Sequence, residues 1–189
     1  MKAYQVTDQG PDAGACVVFA EHAVVARRQG AQELDCEFES VSCARAPDFD
    51  AYALLGYVPA DVLVDHGWFI FCQRCEARVD GDNDHDLVVE GRNQWCSPQC
   101  RERDARERAR REAKRSAGRA DFCARFPGAT VKSVIVGGAS GDDVTVRFTF
   151  PGAQGQGEFR ASDPAHIRVE RRDLEAWQQW REPMEVHRD

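Results

Sequence analysis

The sequence predicts an α+β protein built from small parts, not around one large core. Three observations lead to that class. Short apolar segments with period-two alternation lie toward both ends of the chain, where strands are expected. Two close cysteine pairs sit in the middle, Cys72 with Cys75 in FCQRC and Cys96 with Cys100 in WCSPQC, twenty residues apart. A strongly charged segment without proline follows the second pair. The expected parts are a small ββαβ unit over residues 1–58, a metal module over 59–100, a long basic helix over 97–126, and an antiparallel β-sheet with a closing helix over 127–189. A chain of 189 residues suffices for several such units with modest cores.

In chain order, residues 2–6 alternate polar and apolar like a strand, and residues 15–20 (ACVVFA) read as a second, more buried one. From Glu21 the period changes. Ala23, Ala26, Ala31 and Leu34 recur at helical spacing, and Gly30 weakens that helix without ending it. Residues 39–44 are the third strand. Residues 48–52 form an acidic, aromatic connection anchored by Phe49 and Tyr52, which is weighed against a docking site for a basic partner. Pro59 opens a short helix over residues 59–65, and Gly67 stops it.

Residues 68–71 (WFIF) lead into the first cysteine pair as a short buried strand. A C-x2-C or C-x3-C segment curls its backbone so that both sulfurs meet one ion, and two such segments complete a tetrahedron. The expected cofactor is therefore Zn2+ on Cys72, Cys75, Cys96 and Cys100. Four thiolates leave no open position on the metal, so the zinc is structural. Such a centre carries a charge of about −2, which Arg74, Arg101 and a helix N-terminus would offset. Asp82, Asn83 and Asp84 mark a turn between strands at 77–79 and 87–89. Ser97 is the expected N-cap and Pro98 the first residue of the next helix, so Cys100 falls in its first turn. This order of knuckle, hairpin and ligand-bearing helix resembles a treble-clef zinc finger.

The long helix is expected from about residue 97 to 126. Glu102 and Arg106, Asp104 and Arg108, and Glu107 and Arg111 are spaced for ion pairs, and alanines at 105, 109, 113 and 117 make a thin apolar stripe. Phe122 and Phe126 grip a core at the far end. Beyond it, residues 131–136, 144–150, 158–161 and 167–169 are strand candidates. Valines and phenylalanines at 144, 146, 148 and 150 face inward, and residues 171–181 close the sheet through Leu174, Trp177 and Trp180. The tail after Pro183 is expected to fray. The Gly155-Gln-Gly157 segment lacks a following helix and is a loop, not a phosphate cradle.

Charge divides the chain unevenly. Residues 1–66 carry four basic and eleven acidic groups, whereas residues 101–120 carry nine basic against four acidic, within a total of −7. The basic segment feeds directly from the cysteine module. It nominates Arg101, Arg103, Arg106, Arg108, Arg110, Arg111, Lys114 and Arg115 as contacts for the phosphates of DNA or RNA. Aromatic residues are missing from that helix, which argues against its stacking on single-stranded bases. Interleaved acids give a competing reading, a solvated strut. A third reading takes the acidic surface as an adaptor or inhibitor that docks on a host protein.

Residues Asp84, His85, Gly91 and Asn93, followed by Cys96 and Cys100, also resemble the order of the HNH-type nuclease motif. Arg101, Glu102 and Arg103 stand where that family carries a metal-binding histidine, so no catalytic residues are assigned and the protein is read as a non-enzyme without a small-molecule substrate, with an HNH-like nuclease as the lesser alternative. No apolar run spans a membrane and no secretory leader is evident, so a reducing cytoplasm is expected. There Cys16, Cys36, Cys43 and Cys123 serve as small core hydrophobes. A second metal site on Cys36 and Cys43 is the alternative. Together, VVFAEHAVVARRQGAQEL, SVSCARAPDFDAY, GWFIFCQRC and WCSPQC resemble small zinc-finger proteins of bacteriophages and prophages, over roughly residues 1–105. That resemblance implies an accessory protein acting in the host cytoplasm, in regulation or in defence and counter-defence.

Overall fold

The structure, a computed structural model, describes residues 1–10, 14–82, 86–137 and 143–185. It is a mixed α+β protein with several small sheets, and its contacts divide it into two units, Met1–Arg103 and Asp104–Asp189.

In the first unit, β1 (Lys2–Asp8) is the central strand of an antiparallel sheet, between β2 (Ala15–Ala20) and β3 (Val41–Arg45). Helix α1 (Ala23–Glu33) covers one face, where Tyr4, Val6, Val18, Ala20, Ala26, Ala31 and Val41 form a core. Gly30 is a contact point there and not merely a weak spot in the helix. A Cβ at that position would stand 2.5 Å from Val6 Cβ, so only glycine lets α1 lie this close to β1.

The opposite face of the sheet is covered by the segment that leads to the cysteines. The connection at 48–52 is a 3-10 turn, Pro47–Tyr52, whose Phe49 is buried with Ala3, Phe19 and Val58. The Asp50 carboxylate accepts the Ala3 N–H at 2.7 Å and both terminal nitrogens of Arg45, at 3.0 and 2.6 Å. This holds the turn to the start of β1. Helix α2 (Ala60–Asp65) follows, and its Leu63 packs both here and in a third core built from Ala60, Ile70, Cys72, Val79, Trp95 and Cys96. The cysteine module is thereby attached to the sheet through α2.

That module contains two separate hairpins. β4 (Ile70–Phe71) pairs with β5 (Arg78–Val79), and β6 (Val88–Glu90) pairs with β7 (Asn93–Trp95). The pairing expected between residues 77–79 and 87–89 does not form. Each strand instead takes the partner across its own tight turn, the cysteine knuckle for β5 and Gly91-Arg92 for β6, with Gly91 at φ +62°. The turn expected at Asp82, Asn83 and Asp84 lies largely outside the described residues. The stretch expected as a buried strand is buried only at Ile70, since Phe69 and Phe71 point outward and are 44% and 55% exposed.

Helix α3 (Pro98–Arg125) begins in the first unit and continues through the second. In the second unit, β8 (Thr130–Gly137), β9 (Asp143–Thr149), β10 (Gly157–Arg160) and β11 (Asp163–Arg168) form an antiparallel meander in sequence order. Phe122 of α3 and Phe126 just beyond its end, Phe148, Phe150 and Phe159 from the sheet region, and Trp177 of α4 (Leu174–Glu185) are in its core. Leu174 does not anchor α4. It is 44% exposed, because a 3-10 turn at Arg171–Asp173 sets the phase and buries Asp173 instead, at 2% exposure. The Asp173 carboxylate accepts the N–H groups of Gln154 and Gly155 at 3.0 and 2.9 Å, which holds its pKa below the ordinary carboxylate value. The tail beyond Glu185 lies outside the described residues.

Candidate metal centre and basic helix

The β4–β5 hairpin turns through the first cysteine pair. The Cys72 N–H bonds the Ala77 carbonyl at 2.9 Å, and the Glu76 N–H bonds the Cys72 carbonyl at 2.9 Å. The second pair is carried by the end of β7 and the first turn of α3, where the Ser97 hydroxyl accepts the Cys100 N–H at 3.3 Å as an N-cap. Two further contacts fix one half against the other. Gln73 donates its N–H to the Gln94 carbonyl at 3.1 Å, and Arg101 pairs with Glu90 at 2.5 Å.

This framework brings the sulfurs of Cys72, Cys75, Cys96 and Cys100 within 4.8 Å of one another. The separations Cys75–Cys96, Cys96–Cys100 and Cys100–Cys75 are 3.6, 3.6 and 3.7 Å. Four sulfurs held at ~2.3 Å from one ion in a tetrahedron stand ~3.8 Å apart, so the spacing fits a single metal ion. Cys72 and Cys96 are buried, Cys100 is half-buried and Cys75 is exposed.

The thiols differ in how readily they ionise. Burial works against the Cys72 thiolate, but the N–H groups of Cys96, Cys75 and Arg74 converge on its sulfur and bring its pKa down to about 6. Burial pushes Cys96 up to about 12, and the neighbouring sulfurs add to the effect. Cys75 is also raised. The Ala77 N–H lowers it, but Cys72 and burial outweigh that. One thiolate therefore forms easily and resists its neighbours forming too. A bound cation would allow the whole set to ionise.

The remaining cysteines are not part of this cluster. Cys16, Cys36 and Cys43 are half-buried against the α1 core, and the Cys36 and Cys43 thiols donate to the carbonyls of Leu34 and Ala23. Burial, followed by the nearby Glu33 carboxylate, pushes Cys16 up to about 12, so it stays a thiol. Among the described residues, Cys36 and Cys43 join no group that could hold a metal. Cys123 is exposed on α3 and is not a core residue, because it lies one step around the helix from the buried Phe122.

Along α3, Arg101, Arg103, Arg106, Arg108, Arg110, Arg111 and Arg115 are exposed and Lys114 is half-buried. Part of this charge is met within the helix, where Arg108 pairs with Asp104 at 2.8 Å, Arg111 with Glu107 at 3.0 Å and Arg115 with Glu112 at 3.6 Å. Four acids cannot neutralise the nine basic groups of residues 101–120, so the segment keeps a positive excess. Arg106, Arg110 and Lys114, four residues apart, run along one side of it. Of the residues that resemble the nuclease motif, Asp84 and His85 lie outside the described residues. Asn93 donates to the Glu90 carbonyl at 3.4 Å beside the β6–β7 turn. Among the described residues, no helix is long and apolar enough to cross a membrane.

The sequence missed the aromatic pair beside the knuckle. Phe69 and Phe71 stand edge to face at 5.6 Å, and the Arg78 guanidinium lies 4.2 Å over the Phe69 ring. Their alternation with the buried Ile70 was the available signal. Compared with family models, with curated proteins and with solved structures, the chain matches none.

Proposed function

We propose that Cys72, Cys75, Cys96 and Cys100 hold one structural Zn2+ in a treble-clef finger, and that the finger presents the basic side of α3 to nucleic acid. The zinc reading is supported by four sulfurs at tetrahedral spacing with no carboxylate or imidazole among them, a donor set that suits zinc over the harder divalent ions. When bound, zinc supplies no chemistry beyond fixing the fold. Cys72 and Cys75 clamp the β4–β5 knuckle, while Cys96 and Cys100 fix the entry angle of α3.

The nucleic-acid reading rests on one observation: the ligand-bearing helix continues as the segment with the chain's largest positive excess, on an otherwise acidic protein. A role as a phage-type accessory protein in a host cytoplasm accords with this reading. The test is fluorescence anisotropy of zinc-loaded protein against duplex DNA, single-stranded DNA and RNA over a salt series, with a chelated control. The expected result is affinity that falls with salt and is lost when Arg106, Arg110 and Arg111 are reversed to Glu, with zinc retained. Unchanged affinity after that reversal would remove α3 as the binding surface.

A second reading draws on the ion pairs of Arg108, Arg111 and Arg115. They favour α3 as a strut, with the acidic residues 1–66 meeting a host protein. Absence of any nucleic-acid binding at low salt selects it.

A further inference from the structure

We infer that the outer face of the β4–β5 hairpin, carrying Phe69, Phe71, Arg74 and Arg78, is a base-stacking platform for single-stranded nucleic acid. The inference builds on the nucleic-acid reading above but uses a surface of its own, within the first unit.

The register of the hairpin creates this face. Ile70 and Val79 pair and are buried, so Phe71 and its partner Arg78 are turned outward, with Phe69 two residues back on the same side. Two phenylalanines left in solvent at a zinc knuckle are costly, because each exposes apolar area that a nearby core could have covered. Their surroundings are polar. Gln73 and Arg74 are exposed at the knuckle, and the Gln94 side chain donates to the Phe71 carbonyl at 3.4 Å. Two rings beside the Arg78 guanidinium, which Asp80 holds, and near the exposed Gln73 and Arg74 match a base with its phosphates better than they match a protein hot spot.

The geometry is held in advance. Asp80 grips Arg78 at 2.9 Å, and Arg78 in turn covers one face of Phe69. Phe71, at 77° to Phe69, keeps its ring available to a base. Arg74, at the tip, makes no ion pair with any described residue and is positioned for a phosphate. Single-stranded nucleic acid is the occupant that uses both features, since unpaired bases offer a π face that a duplex hides.

The experiment measures anisotropy of labelled oligothymidylate of about 15 nucleotides, a length within known site sizes, and of a labelled duplex, on the zinc-loaded full chain. Phe69→Ala/Phe71→Ala is expected to weaken oligothymidylate binding about tenfold or more, with zinc content and duplex affinity unchanged. Phe71→Tyr, which keeps the ring, should retain affinity. Arg74→Gln, which removes the charge without adding a carboxylate beside the thiolates, should weaken binding and reduce the salt slope by about one phosphate contact with zinc content unchanged. Oligothymidylate affinity that is unchanged in the double variant with zinc retained overturns the inference, as does a wild-type protein that does not bind the oligonucleotide at low salt. If reversal of Arg106, Arg110 and Arg111 abolishes duplex binding while the phenylalanine variants change nothing, the platform fails and the helix reading stands. If the reversal changes nothing while the phenylalanine variants lose single-strand binding, the platform stands and the helix reading fails.

Discussion

Glu76 donates its backbone N–H to the carbonyl of Cys72 while holding φ at +59°, a left-handed conformation that an L side chain adopts at a cost. The residue after Cys75 must take this conformation for the chain to reverse into β5, so the knuckle's geometry, not the glutamate's chemistry, sets it. Glu76→Gly removes a penalty of about 1 kcal/mol, less the smaller entropy that glycine adds to the unfolded chain. The variant should bind zinc as before and unfold at the same or a higher denaturant midpoint. A clearly lower midpoint would show that the side chain at 76 supports the turn in some other way.

Cys96 is buried, lies 3.6 Å from the sulfurs of both Cys75 and Cys100, and belongs to the same small core as Trp95 and Ile70. That core is too small to order four short strands alone, and structural zinc contributes apparent energies of about 10–16 kcal/mol in isolated fingers. Cys96→Ser is therefore expected to lose stoichiometric zinc and to unfold residues around the hairpins. Hydrogen exchange should report loss of protection at 70–79 and 88–95, with the β1–β3 sheet still protected. Full zinc content and an unchanged exchange pattern would refute the ligand assignment.

The cluster of four cysteines was legible in the sequence because thiol spacing is a local property, and the knuckle and the capped helix turn each need only a few residues. The strand pairing around them was not. Apolarity across a polar turn matches residues 77–79 with 87–89, yet the Gly91-Arg92 pair between Glu90 and Asn93 is itself a two-residue hairpin signal, and it decides the partner of β6. The same limit applies to Asp173 and Leu174. Helical spacing from Trp177 selects Leu174 as the buried residue, but the loop N–H groups at Gln154 and Gly155 attract the carboxylate, and that pull is invisible until the loop is folded.

Gly30 shows the limit from another side. Propensity marks it only as a helix weakness worth about 1 kcal/mol, which predicts that alanine stabilises. The structure reverses the sign, since an added Cβ would meet Val6 Cβ at 2.5 Å and both its methyls at 2.6 Å on the central strand. Overpacking of this kind costs about 1–3 kcal/mol, so Gly30→Ala should lower stability despite the better helix former. A urea midpoint at or above wild type would mean that α1 can lift from β1 without loss.

Asp50 ties stability to pH through the same sheet. Hydrogen bonds from Arg45, then from the Ala3 N–H, bring its pKa from 3.8 down to about 2. A carboxylate whose pKa is depressed on folding adds stability that is fully present above its unfolded value and is lost as pH falls through its folded one. The window is therefore about pH 4 to pH 2. Asp50→Asn keeps the shape but not the charge, so its deficit against wild type should be largest near neutral pH and shrink across that window. Acid would also release a metal held by the thiolates, since protons compete for them, but it would do so in both proteins, and the difference between their denaturation midpoints isolates the carboxylate. A difference that stays constant from neutral pH down through the window would show that Asp50 holds the Pro47–Tyr52 turn to β1 by shape alone.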